Sequence, residues 1–292
     1  MKIYDCTTFH SEHMMMDVRF NALNEHIHKF IVVESLFSHS GEKKKLNFDI
    51  NNYPKFKDKI IYLVIDREPD DLINPLNENI QYKRINSIKR IELSYNFMML
   101  EIKKLSDNDL IILSDNDEIP NLESAQFKDS NSDIYIFKQL FFYYKFNLLY
   151  DRMYWFGSKA CTKKKLKSLS WLRNLKNKKY PFWRVDTFFS KTKNSSLKII
   201  NDGGWHFTNV MSAENLYTKM TNFGHHDEFE LSELSVEDLK IKINQGLVFY
   251  DHFAGQEDKN KWEFNYKLKK ISDNLLPDSL IKDKIKLKEW FN

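Results

Sequence analysis

Apolar residues in the first 120 positions follow two alternating patterns. Short runs in which nearly every residue is apolar mark buried strands: Lys2–Cys6, Phe30–Glu34, Ile60–Asp66 and Leu110–Leu113. Between them Met16, Phe20, Leu23, Ile27 and Phe30 recur at spacings of three and four, one face of a helix with Ser11 as its cap. Ile88, Ile91, Tyr95, Met98, Ile102 and Leu105 make a second such face, with Ser87 as cap. Strands alternating with helices predict an α/β fold: a mostly parallel central sheet with helices on both faces.

After Pro120 the pattern changes. Asp133–Phe146 and Met153–Lys159 are rich in Phe, Tyr and Ile and predict a smaller antiparallel element. Gly157–Tyr180 holds nine Lys or Arg and no acid, with Leu166, Leu169, Leu172 and Leu175 every third residue, a short basic amphipathic helix. Ser235-x-x-Asp238 has the form of a capping box opening a helix that Gly246 closes. The Lys-rich tail from 257 to 292 reads as helical and packed on the domain.

The chain's 292 residues include 23 Phe and 14 Tyr, enough bulk for a sizeable core. Its net charge of +4 is too balanced to indicate nucleic-acid binding. Two cysteines form no disulfide framework, and the N-terminus lacks the apolar stretch of a signal peptide. The most apolar segment, Ile134–Phe156, is interrupted by Lys138, Lys145, Asp151 and Arg152 and makes a poor membrane span. A cytoplasmic location is expected.

The chemistry concentrates at Ser114-Asp115-Asn116-Asp117-Glu118, directly after the Leu110–Leu113 strand. Three carboxylates in four residues repel unless a cation neutralises them, and a hard divalent ion does so through oxygen ligands. Ligands of open α/β sheets bind beyond the carboxyl ends of strands, where this cluster falls. Asp107-Asn108-Asp109 repeats the triplet at the other end of the same strand and reads as a solvated turn. An EF-hand is excluded, because Pro120 stands where the turn glycine belongs.

Five segments together resemble glycosyltransferase family 17, the family of the β-1,4-N-acetylglucosaminyltransferase that bisects N-glycans. They are Tyr4–Phe9 with the Asp17–Leu23 helix, Phe30–Ser35 leading to His39–Lys43, Leu113–Pro120, Gly203–Thr208, and Lys219–Asp227. They cover roughly residues 1–255 in the family's order. The resemblance implies a GT-A-like fold, a UDP-sugar donor (N-acetylglucosamine or a related hexose), a divalent metal (Mn²⁺ or Mg²⁺), and inversion at the sugar carbon. It divides one catalytic domain, 1–256, into a nucleotide-sugar half, 1–120, and an acceptor half, 121–256. Glu92–Asn96 departs from the more basic stretch usual before the metal motif. The animal members carry a membrane anchor and stem that do not show in this chain, so the bisecting reaction is not carried over.

On that footing Asp115 and Asp117 are candidate metal ligands, with His206 or His225 completing the shell or contacting a phosphate. His206 among aromatics also fits a hydrogen-bonded core residue. Asp227 is the preferred general base, followed by Asp202, Asp186 and Glu118. Asp5, Glu34, His39, Gly41, Lys43 and Asp115 are donor-side candidates. Trp155, Trp183 and Trp205 are candidates to stack on the acceptor, a glycan or lipid-linked saccharide. The basic 157–180 segment is either a solvated loop or a source of attraction for a diphosphate, an anionic lipid-linked acceptor or a membrane surface. Two alternatives stand beside transfer of sugar. A nucleotidyltransferase is disfavoured because Thr7-Thr8-Phe9-His10 lacks a phosphate-cradling glycine. A non-catalytic carbohydrate-binding protein leaves the carboxylates unexplained.

Overall fold

The computed structural model describes residues 1–73, 80–179, 190, 192–194, 196–222, 229, 232–254 and 259–292. The four apolar runs are strands β1 (Ile3–Phe9), β2 (Lys29–Ser35), β3 (Ile60–Ile65) and β4 (Leu110–Leu113). Further strands are β5 (Glu118–Pro120), β6 (Ile134–Phe137), β7 (Leu140–Tyr143), β8 (Leu148–Leu149), β9 (Lys159–Thr162), β10 (Leu197–Ile200) and β11 (Gly204–Thr208). Three two-residue strands follow: β12 (Leu247–Val248), β13 (Tyr266–Lys267) and β14 (Lys269–Lys270). The helices are α1 (His13–Leu23), α2 (Ile80–Ile102), α3 (Ala125–Lys128), α4 (Leu169–Arg173), α5 (Ala213–Asn222), α6 (Val236–Gln245) and α7 (Asp278–Lys282).

The large sheet runs β10-β6-β9-β4-β1-β2-β3, and only β9 is antiparallel to its neighbours. Its two faces carry separate cores, because alternate residues of a strand point opposite ways. Phe30 and Val32 of β2 pack with Met16 and Phe20 of α1 and Leu280 of α7. Ile31 and Val33 pack on the other face with Tyr95 and Met98 of α2 and Leu169 and Leu172 of α4. A smaller mixed sheet, β14-β8-β7-β11-β5, leans on the first through β5 and holds the third core with Phe141, Tyr143 and Phe249.

Several expectations shift. Glu12, not Ser11, precedes α1, and its carboxylate accepts from the His10 and Ser11 amides. The second helix begins well before Ser87, whose hydroxyl sits mid-helix and donates to the His39 carbonyl; Ile88 is exposed. The Leu166–Leu175 repeat is core: Leu169, Leu172 and Leu175 are buried beneath a helix of five residues. Its apolar side is therefore unavailable to a membrane. Of the segment 153–159 only Lys159 is in a strand, and β7 joins the second sheet rather than pairing there. The tail is not one helix. It supplies strands β13 and β14, then α7 and a 3-10 turn at Lys288–Trp290 that cross α1. The capping box at Ser235/Asp238 and the left-handed Gly246 stand as expected. Among the described residues no helix is long and apolar enough to cross a membrane.

Asp109 is not a solvated residue. It is buried, and its carboxylate accepts from the amides of Lys2 at 2.9 Å and Ser106 at 3.1 Å, tying the turn before β4 to the start of β1. The turn after β4 is held differently. Arg19 of α1, fully buried, makes a two-pronged contact with Asp5 at 2.8 and 2.5 Å. Its remaining nitrogen donates to the carbonyls of Asp115 at 3.1 Å and Glu118 at 2.7 Å. Replacing Arg19 with Met strands a buried carboxylate and frees both carbonyls. The expected loss is about 3–5 kcal/mol in urea unfolding, and Asp5→Asn added to Arg19→Met recovers part of it.

Candidate active site

Parallel strands end on a common edge, and here the neighbours β1 and β4 deliver their following loops to one cavity. The loop after β1 carries His10, Ser11 and Glu12. The loop after β4 carries Asp115, Asn116 and Asp117, with Asn116 donating to Glu12 at 2.9 Å. From the second sheet, β11 presents His206, and α5 presents Lys219. The neighbouring cavity of about 300 Å³ is lined by His10, Glu12, Asn116, Asp117 and Lys219 among others.

The carboxylates have separate partners. Asp117 faces His206 Nε2 at 3.5 Å and Lys219 Nζ at 3.7 Å. Burial alone would raise its carboxyl, but His206 and Lys219 overcome it and hold it below the ordinary carboxylate range. Asp115 meets the Arg173 guanidinium at 2.6 Å, while half of its side-chain surface (51%) still opens to solvent. Its recessed position, with Glu118 and Asp117 close by, pushes its carboxyl up to about 6 against the pull of Arg173. Glu118 is fully buried. It accepts from Trp155 Nε1 at 2.6 Å, the Asp115 amide at 2.8 Å and Arg173 at 2.9 Å. Although burial opposes it, Arg173 and His206 lower its pKa. Gly157 is needed against it, since a Cβ there would collide with the Glu118 carboxylate.

Arg173 is itself positioned from behind. Buried Lys159 donates to the carbonyls of Arg173 at 2.6 Å and Leu175 at 2.7 Å, closing the end of α4. His206 stacks on Phe141, centroids 4.8 Å apart and rings 4° from parallel, and lies 4.6 Å from the Trp155 ring. Its Nδ1 is buried and has no partner among the described residues. Gly204, at φ +110°, lets β11 turn in against Ile119, explaining the glycine before Trp205-His206.

The structure brings Asp115, Asp117, Glu118 and His206 together and removes several other candidates. Asp5 is committed to Arg19 and has no surface for a donor. Glu34 is fully buried and accepts from Lys44 at 2.5 Å, the Asn47 and Phe48 amides and Tyr62, so it shapes the following loop instead. Lys43 points outward while Lys44 makes that contact. His39 and Gly41 sit in the turn after β2, where Arg90 donates to the His39 carbonyl at 3.0 Å. A Cβ on Gly41 would strike the Arg90 guanidinium. Glu118 is too enclosed to meet an acceptor as a base. Asp202 follows β10, three strands from β4, about 14 Å away at normal strand spacing, and accepts from Asn121. Trp155 is tied to Glu118. Trp205 points away from His206 and donates to the Leu275 carbonyl at 2.6 Å, anchoring the tail. Asp227, Asp186, His225 and Trp183 lie outside the described residues.

Arg19, Arg173, Glu12 and Asn116 escaped the sequence reading. The basic 157–180 segment was the one signal for Arg173, and nothing in it distinguished this cation from its neighbours.

Residues 1–256 match the model of glycosyltransferase family 17. That coverage defines the class: the protein is a glycosyltransferase. The chain belongs to glycosyltransferase family 17. No curated protein matches it. Among solved structures, the inositol-1-phosphate CTP transferase from T. maritima is similar at 14% identity, over 56% of this chain and 71% of its own, with a TM-score of 0.29. So loose a superposition carries no weight for the chemistry.

Burial lowers the pKa of His39 to about 4, aided by His10 and Arg90, and that of His252 to about 4, aided by His206. At these two histidines the unfolded chain binds more protons than the folded one between about 6.5 and 4, outweighing the opposite contribution of Asp115 below about 6. Stability is expected to fall on acidification through that window. Thermal melts at pH 7 and pH 5 test it: the drop should be smaller in His252→Gln, which removes one of the two groups.

Proposed function

We propose that the protein is an inverting, metal-dependent glycosyltransferase of the GT-A type that moves a hexose from a UDP-sugar to a glycan hydroxyl. The observation that carries this is the Asp115–Asp117 turn at the end of β4, where Arg173 pairs with Asp115 while His206 and Lys219 face Asp117 at the edge of the cavity. Two carboxylates beside three basic side chains suit a diphosphate that arrives with a cation.

The donor set fits a hard ion only in that company. No group of three or more His, Cys, Asp or Glu converges among the described residues. Mg²⁺ and similar ions need no more than one or two carboxylates, with phosphates and water supplying the rest. Asp117, at 3.5 Å or more from its cations, and half-open Asp115 would hold the ion, with His206 beside them. When bound, the ion offsets charge developing on the leaving diphosphate. Lys219 and Arg173 add positive charge on either side of the same turn. Arg19 keeps the turn's backbone in place, so the carboxylates need no reorganisation when the donor enters.

UDP affinity should fall sharply in EDTA relative to Mn²⁺, measured by calorimetry, because the carboxylates alone repel a diphosphate. Asp117→Ala should abolish transfer with the fold intact by circular dichroism. Equal affinity with and without metal, or an active Asp117→Ala enzyme, would sink the assignment.

For the base, Asp227 is our assignment, since Asp202 is remote and Glu118 enclosed. Asp227→Asn should lower turnover by about two or more orders of magnitude while leaving UDP affinity unchanged, and Asp202→Asn should be near normal. Steady-state kinetics of both variants decide it. An active Asp227→Asn enzyme returns the role to Asp186 or to a base from the substrate.

A further inference from the structure

The cavity beside Asp117 has a mixed lining. Asn116, Asp117 and Lys219 are among its polar residues, and Met14, Phe207, Val210 and Trp290 among its apolar ones. Trp290 lies far beyond residue 256, where the family match ends, so the tail completes a cavity whose other walls belong to the matched region.

Trp290 is held there by its backbone. Its carbonyl accepts from the Phe146 amide at 2.9 Å, and its own amide donates to Leu287 at 2.9 Å. Asn147 and Asn292 exchange two hydrogen bonds at 3.1 and 2.9 Å just beyond it. The Lys145 ammonium sits 5.5 Å from the indole centroid. The backbone is thus anchored, and the indole itself packs against the core, so the residue loses little freedom when it meets a ligand.

A pyranose ring presents a C–H face and a rim of hydroxyls. The lining offers apolar side chains to the first and amide, carboxylate and ammonium groups to the second. At about 300 Å³ it lies at the small end of ligand sites. It also borders Asp117, where the diphosphate is expected. Resting on the glycosyl-transfer reading above, we infer that Trp290 is a substrate-contacting residue supplied by the C-terminal tail. Its indole packs against the C–H face of a hexopyranose bound beside Asp117. That ring is either the sugar being transferred or the terminal sugar of the acceptor, and the two are separable by experiment.

The test uses the full chain with Mn²⁺ and four proteins: wild type, Trp290→Ala, Trp290→Phe and Met14→Ala. The first arm compares calorimetric affinities for UDP, UDP-glucose, UDP-galactose and UDP-N-acetylglucosamine. If the ring is the transferred sugar, Trp290→Ala binds the UDP-sugar about tenfold more weakly while UDP affinity is unchanged. The second arm measures transfer to 4-nitrophenyl hexopyranosides. If the ring belongs to the acceptor, UDP-sugar affinity is unchanged and the acceptor KM rises about tenfold with kcat maintained. Trp290→Phe should lie near wild type in either case. If Trp290→Ala fails to fold, Met14→Ala in the same cavity decides, with a smaller loss in the same arm. Folded variants matching wild type in both arms overturn the inference and leave the glycosyl-transfer reading standing. Wild-type protein that neither binds nor turns over any of these ligands overturns both.

Discussion

The Arg19–Asp5 pair is the constraint on which the site depends. A buried ion pair is a poor source of stability, because desolvating two charges offsets most of their attraction. Its worth here is positional. Asp5 lies on β1 and Arg19 on α1, and the guanidinium nitrogen left over from Asp5 reaches the carbonyls at both ends of the Asp115–Glu118 turn. A helix, an inner strand of the large sheet and the candidate functional loop are thereby joined by one planar group. Lysine could not replace it, having no fixed fork to serve a carboxylate and two carbonyls together.

Around that fixed backbone the side chains are sorted by environment. Glu118, enclosed by Trp155 and Arg173, stays ionised and holds the Asp115 amide. Asp117 is ionised beside His206 and Lys219 at longer range. Asp115 is pushed toward neutrality although it touches Arg173. Three neighbouring carboxylates thus differ in how readily each could be drawn to a new partner. The inner one is committed to structure, while Asp117 lines the cavity and Asp115 is half open to solvent. This is the division expected where a loop must be rigid in its backbone yet available at its tips.

Much of the fold was legible because apolar runs and three-four spacings reflect burial directly. Phe30–Glu34 and Leu110–Leu113 are strands with opposite faces in separate cores, and Asp115/Asp117 follow β4 as strand polarity requires. What was not legible was partnership over distance. Asp5 and Glu34 end apolar runs much as a ligand-binding carboxylate would, and only Arg19, Lys44 and Tyr62, distant in sequence, show them to be internal. Ser87 resembles a cap until the helix is seen to begin earlier. Trp205 and His206 are adjacent, yet strand alternation sends one to the tail and the other to Asp117.

The two Asp-Asn-Asp triplets bring these points together. Asp109 and Asp117 share their local sequence and flank the same strand, and both are held in place by distant partners. Asp109 accepts backbone amides, groups that cannot leave, and so serves the join between β1 and β4. Asp117 faces the side chains of His206 and Lys219 at 3.5 and 3.7 Å, farther than the backbone amides that hold Asp109. A carboxylate satisfied by backbone is structural, and one met by side chains at longer range at a strand's carboxyl end can take a further ligand. By that criterion Asp117, not Asp109, is the candidate for chemistry, a distinction that rests on the type of partner rather than on the motif.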